Sequence, residues 1–237
     1  MGARVVVKNP AVVGVIASQG ELRAAARIRR PPDLFELRLD CLPDIDPTNV
    51  LRLRRPLIIT ARNPAEGGCN KLAFRRDDRL REFLPCAAFI DVELRSLREL
   101  RAVWKEAGRR KIQRICSVHN FARTPSHAVL LKQFQRARSA GANIFKLVTR
   151  ADTPDDFLTL LQFLRRARGR CCVMAIGRFG PISRLLLAEC GSVLVYAALQ
   201  QPLYPGQLTL RELRQASRPW ERSLRERAEP RPPARLR

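Results

Sequence analysis

The chain has 237 residues, 46% of them hydrophobic, and 45 Lys and Arg against 22 Asp and Glu give it a formal net charge of +23. That length supports one large core, and no apolar run approaches the roughly 20 residues that cross a bilayer, so a soluble, cytoplasmic protein is expected. The charge attracts polyanions, but the arginines are spread over every connecting segment and aromatic residues are only 6%; nucleic acid is therefore expected as a non-specific partner at most.

The start, "MGARVVVKNPAVVGVIA", is interrupted by Lys8 and Pro10 and followed by no clear cleavage site, so it does not read as a signal peptide. Val6 breaks the pattern required for myristoylation. Residues 1–10 precede the first strand and are read as a small cap on the barrel bottom. From there eight short β-rich runs follow in order: 12–17, 34–40, 57–62, 89–94, 114–119, 144–149, 171–176 and 192–199. Each interval has room for a helix and two loops. The segment 97–108 puts Leu97, Leu100, Val103 and Trp104 on one face. The segment 125–142 begins Pro-Ser and has a glycine near its end, and 153–169 begins with Thr153, carries Asp155 and Asp156 in its first turn and stops at Gly169. Eight strands alternating with helices predict a single-domain α/β protein, a (β/α)8 TIM barrel over residues 1–217 with a basic tail at 218–237. A doubly wound open sheet is the alternative, but "ASQGEL" after the first strand lacks the glycine-rich phosphate turn.

The seven cysteines, Cys41, Cys69, Cys86, Cys116, Cys171, Cys172 and Cys190, are odd in number and irregularly spaced. They indicate neither a disulfide framework nor a zinc knuckle, and most read as small apolar strand residues in a reducing compartment. With two histidines, no histidine-rich metal site is expected.

In a barrel of this kind chemistry sits at the C-terminal ends of the strands. Glu36, Arg38 and Asp40 share one face of strand two; Arg62 ends strand three and Glu66 follows in "NPAEGG". Asp91 and Glu93 lie on strand four, His119 ends strand five, Lys146 lies in strand six, and "GRFGPISR" after strand seven brings Ser183 and Arg184. His127, just inside a helix, reads as a surface residue. Only six of the cationic residues are lysines, and Lys146 alone is flanked by apolar residues over two positions on each side, in "NIFKLVT". A buried ammonium is costly unless paired or deprotonated. Lys146 is thus either a strand-end lysine reaching for water or an amine kept neutral for chemistry, with a pKa below the usual value of about 10.4. A lysine nucleophile, a histidine base, orienting carboxylates and arginines for an anion together suit Schiff-base chemistry on a keto acid.

The motifs "FELRLD", "TARNPAEGG", "DVEL", "SVHNF", "IFKLV", "IGRFGPISR" and "YPGQLTLREL" occur in that order across the barrel. In them the chain resembles type I 3-dehydroquinate dehydratase, the Schiff-base-forming dehydroquinase of the shikimate pathway. The resemblance implies a lyase converting 3-dehydroquinate to 3-dehydroshikimate, a homodimer, and no cofactor or metal. It implies that Lys146 forms the imine, His119 is the general acid–base, and Glu66 orients His119. It further implies that Arg184 grips the substrate carboxylate, that Glu36, Arg38 and Arg62 hold ring hydroxyls and neighbouring charges, and that Gln207 belongs to a lid. One departure stands on that lid: Leu203 replaces the serine usual two residues before the proline of "PGQ", which implies weaker substrate grip or altered closure. The competing readings are another Schiff-base enzyme of the class I aldolase kind, and a catalytically reduced homologue that binds polyanions. The "AEGG" and "PGQ" motifs weigh against the first, and the complete Lys–His–Glu set against the second.

Overall fold

The computed structural model describes residues 10–69 and 75–217. The cap read at the N-terminus and the basic tail at 218–237 fall largely outside these residues. Eight strands run parallel in one sheet: β1 (Ala11–Ile16), β2 (Leu34–Arg38), β3 (Leu57–Thr60), β4 (Ala87–Glu93), β5 (Gln113–Asn120), β6 (Ile144–Arg150), β7 (Cys171–Ile176) and β8 (Leu194–Ala198). Pairing proceeds β7-β6-β5-β4-β3-β2-β1-β8. The ends meet through Val193 N–H to Cys171 O at 2.8 Å and Val173 N–H to the Ser192 hydroxyl at 2.9 Å, so the sheet curls into a nearly closed barrel rather than the open alternative.

The strands read as near-continuous apolar runs because both of their faces are covered. Inside, Val13, Leu34, Ile58, Phe89, Ile115 and Ile144 are among the residues that fill the lower barrel. Outside, Leu37, Ile59, Ile90, Cys116, Leu147 and Val173 meet the helices. Those helices are α1 (Gln19–Arg27), α2 (Arg76–Phe83), α3 (Arg101–Arg109), α4 (His127–Ser139), α5 (Pro154–Arg166) and α6 (Gly180–Glu189), with a further helical segment at 210–217. Thr153 caps α5 as its sequence predicts, its hydroxyl accepting from Asp156 N–H while the Asp156 carboxylate returns to Thr153 N–H. Two predicted helices begin later than their periodicity suggests. Residues 97–100 continue the 3-10 segment at 94–96 as a turn, so α3 starts only at Arg101, and α4 opens at His127, which is half-buried rather than on the open surface.

The cysteine reading needs a correction. Cys116, Cys171 and Cys172 are indeed buried on strands, but Cys41 and Cys69 are joined in a disulfide. Their separation of 28 residues carries no pattern. They meet because β2 and β3 are neighbours, which sets the loops that follow them side by side. Asp40 lies against the same pair, but its oxygens are filled by the Arg38 guanidinium and by the N–H groups of Arg62 and Cys69.

Candidate active site

The C-terminal ends of the strands surround a narrow cleft with a free volume of about 50 Å³. Glu36 and Arg38 of β2, Arg62 just beyond β3, His119 of β5, Lys146 of β6, Arg184 of α6 and Gln207 of the loop after β8 all line it. Glu66 stands behind His119, outside the lining itself. The eight residues singled out in the sequence therefore gather at one mouth, although they come from separate strands and loops.

Lys146 does not reach for water. It is 4% exposed, with Nζ 3.0 Å from Asp91 Oδ2 and 3.3 Å from Glu36 Oε1. The register explains this: Lys146 is level with Ser117 on β5, which is in turn level with Glu93 on β4, so β4 and β6 present their polar residues at similar depth. Asp91 is shared. Arg62 grips it with both terminal nitrogens, at 3.1 and 2.8 Å, and also donates to Glu93 Oε1 and to the Ser117 hydroxyl. Burial pushes the Asp91 carboxyl up, but Arg62 and Lys146 outweigh it and hold this group ionised, well below the ordinary carboxylate range. Arg76 closes the network from outside, donating to Glu93 Oε2 at 2.5 Å and to Ala61 O at 2.7 Å.

Glu36 and Arg38, neighbours on one face of β2, point to different partners. Arg38 forms a two-pronged pair with Asp40 at 2.9 and 2.7 Å and donates to Gly67 O at 3.1 Å. Glu36 instead accepts from Thr60 Oγ1 at 2.9 Å and from Lys146.

His119 is oriented by Glu66. Glu66 Oε2 lies 2.9 Å from the ring Nδ1 and accepts the His119 backbone N–H at the same distance. Burial, then the cations of Arg62 and Lys146, hold the imidazole neutral by pushing its pKa well below the ordinary value. Burial pushes the Glu66 carboxyl up to about 7 despite the His119 N–H. With Nδ1 engaged, Nε2 is the nitrogen left to exchange a proton. Glu66 is placed by a short 3-10 turn, Pro64–Glu66, that opens on the Asn63 side chain and closes at Gly67 with φ +81°. A Cβ at Gly67 would sit 2.6 Å from the Tyr204 hydroxyl, so only glycine fits both the backbone and the space.

Arg184 is a buried cation without an anion. It is 4% exposed, donates to the carbonyls of Ala175, Gly180, Gly206 and Tyr196, and has no carboxylate within reach among the described residues. Burial pushes its pKa down to about 10. Such a group suits a ligand that brings its own negative charge.

The loop after β8 covers the mouth. Gln207 accepts the Leu203 N–H at 2.8 Å, and Leu203 lines the cleft with 40% of its surface exposed. Tyr204 stacks on Phe121 with centroids 5.1 Å apart and donates to Gly67 O at 2.7 Å, tying this loop to the one that carries Glu66. Sequence reading missed Tyr204, Phe121 and Tyr196, and it noted Asp91 without giving it a role. For Tyr196 a signal existed, since Leu194, Tyr196 and Ala198 alternate on one face of β8; Phe121 and Tyr204 stand inside the motifs "SVHNF" and "YPGQLTLREL", where no role was attached to them.

Among the described residues no helix is long and apolar enough to cross a membrane. The profile of the family described as type I 3-dehydroquinase matches residues 13–220. A protein of Thermodesulfovibrio yellowstonii named 3-dehydroquinate dehydratase is 31% identical over 211 residues, which is 86% of this chain and 92% of that one. One of the same name from Pyrococcus abyssi is 35% identical over 187 residues, 77% and 85% of the two chains. In fold, the chain is similar to the crystal structure of a type I 3-dehydroquinate dehydratase from Clostridium difficile, with a TM-score of 0.79, 22% identity, and coverage of 91% of this chain and 93% of that one.

Proposed function

Since the chain belongs to the type I 3-dehydroquinase family, we propose that it is the dehydratase converting 3-dehydroquinate to 3-dehydroshikimate, and that it does so through an imine on Lys146. The observation that carries the mechanism is the placement of the Lys146 amine. It is buried, paired with Asp91 and Glu36, and lines the same cleft as a neutral histidine and an anion-seeking arginine.

The substrate is a β-hydroxy ketone bearing a carboxylate. Arg184 receives the carboxylate, which supplies the negative charge its surroundings lack. Lys146 Nζ adds to the ketone carbon as the carbonyl electron pair moves to oxygen. Counted from the ammonium, the two protons that nitrogen loses are the two that leave with the oxygen as water, and His119 carries them in turn. The iminium is an electron sink, because it lets the adjacent carbon lose a proton to His119 Nε2 while the electron pair is held as a neutral enamine. The enamine then expels the β-hydroxyl, which departs as water with the proton returned by His119. Hydrolysis of the conjugated imine releases the product and restores the amine. Glu66 holds the imidazole in the tautomer these transfers need, and Arg62 keeps Asp91 fixed beside the nitrogen. Glu36 and Arg38 are left to meet ring hydroxyls, and Gln207 to close the mouth.

Borohydride reduction in the presence of 3-dehydroquinate, followed by intact and peptide mass spectrometry, tests this reading. An adduct on Lys146 and formation of the enone product in a parallel absorbance assay are expected. Unmodified protein with unconsumed substrate would sink it.

A further inference from the structure

Tyr196 lies on β8 level with Val13 of β1 and lines the cleft with 3% of its surface exposed. Its two ends are in different situations. The ring is fully used: Lys146 Nζ sits over its face, 3.9 Å from the centroid, where the negative quadrupole of the ring attracts a cation. The hydroxyl is not. It is buried, and among the described residues it has no hydrogen-bond partner. Native proteins rarely leave such a group unpaired, because burying it forfeits its bonds to water. Phenylalanine would offer Lys146 the same ring face without that cost. The unmatched hydroxyl therefore points to a partner that arrives with a ligand. Burial, and then the Glu36 carboxylate, raise its pKa well above the ordinary phenol value, so it is present as a donor.

We infer that Tyr196 is a further substrate-contacting residue of the dehydration: its hydroxyl donates a hydrogen bond to the oxygen on the carbon that Lys146 attacks, and its ring face carries the positive charge of the iminium nitrogen. The inference rests on the dehydratase reading above. In the ketone this bond polarises the carbonyl toward attack, and in the carbinolamine it steadies the oxygen that is about to leave as water. Tyr196 keeps its own proton throughout. The two effects act at successive stages, the hydroxyl before water departs and the ring after, so they are separable by substitution.

The test compares wild type, Tyr196→Phe and Tyr196→Leu in three measurements: steady-state dehydration of 3-dehydroquinate, the rate of borohydride trapping on Lys146 at saturating substrate, and thermal unfolding without ligand. Tyr196→Phe is expected to lower kcat/KM by about tenfold, the scale of one lost hydrogen bond in a dry site, with a matching loss in trapping rate. Its Tm is expected to stay level or rise, because an unpaired hydroxyl is removed. Tyr196→Leu is expected to lose further rate as the ring face goes. Wild-type kinetics and trapping in Tyr196→Phe would overturn the inference. So would a lowered Tm, which would place the hydroxyl's partner within the fold. Absence of turnover in wild type would defeat the dehydratase reading instead, and it shows before any variant is measured.

Discussion

At the scale of single residues, the site works by pairing groups whose surroundings push them in opposite directions. Glu66 and His119 are hydrogen-bonded to each other, with the carboxyl raised to about 7 by burial and the imidazole pushed down by burial and by Arg62 and Lys146. Replacing Glu66 with Gln keeps the shape but removes the charge that steadies a protonated His119. We expect kcat to fall by about a hundredfold with KM little changed. The same substitution has a stability signature with a definite sign. A carboxyl whose folded pKa is raised contributes stability below its unfolded value of 4.5 and loses it as pH rises toward 7. Gln mimics the protonated form at every pH. The Tm advantage of Glu66→Gln over wild type should therefore be small at pH 5 and larger at pH 8. A gap that does not change with pH would mean that Glu66 is not held at raised pKa by burial.

At the scale of elements, the loops after β2, β3 and β8 are bound to one another above the barrel. The Cys41–Cys69 disulfide joins the first two. Thiol counting in denaturant should give five free cysteines before reduction and seven after. Closing a loop of 28 residues constrains the unfolded chain by about 3.5 kcal/mol, so the Cys41→Ser, Cys69→Ser double variant should melt roughly 7–14 °C lower. Tyr204 joins the third loop by donating to Gly67 O. Tyr204→Phe keeps the stack on Phe121 but loses that bond, worth about 1 kcal/mol. A rise in KM of about fivefold at unchanged kcat is expected; an unaltered KM would show that this loop does not gate substrate. How much of this was legible follows from its physics. The strands were readable because a parallel barrel buries both faces, leaving apolar runs that need no partner to be recognised. Lys146 and His119 were readable because an ionisable group within or at the end of such a run is unusual in itself, whereas Arg184, on α6, was legible only through its motif "IGRFGPISR". Pairings were not: whether Arg38 takes Asp40 or Glu36, and whether Cys41 finds Cys69, depends on which loops lie side by side. Tyr196 and Tyr204 escaped because an aromatic residue on an apolar strand or in a loop looks like packing until its hydroxyl is located.

At the scale of the whole molecule, the charge of +23 acts on anything anionic that approaches. It shows on the outer surface, where Arg95, Arg98, Lys132 and Arg136 line one open groove that has no acidic residue in its lining. In the cleft, the anion-seeking group, Arg184, has no carboxylate partner among the described residues. A substrate carrying a carboxylate enters this field before it meets the site, and the field reaches about 30 Å at 0.01 M salt but less than 10 Å above 0.1 M. Groups inside the cleft are screened far less than the exposed arginines. Raising salt from about 10 mM to about 300 mM should therefore lower kcat/KM for 3-dehydroquinate severalfold while leaving kcat nearly constant, because the loss lies in capture and not in chemistry. Initial rates over a salt series at fixed pH measure both quantities. A kcat/KM independent of salt would mean that the scattered arginines do not contribute to substrate capture and that recognition is confined to Arg184 and its neighbours. A parallel fall in kcat would instead locate the sensitivity in the buried network around Asp91, where Lys146 and Arg62 share one carboxylate.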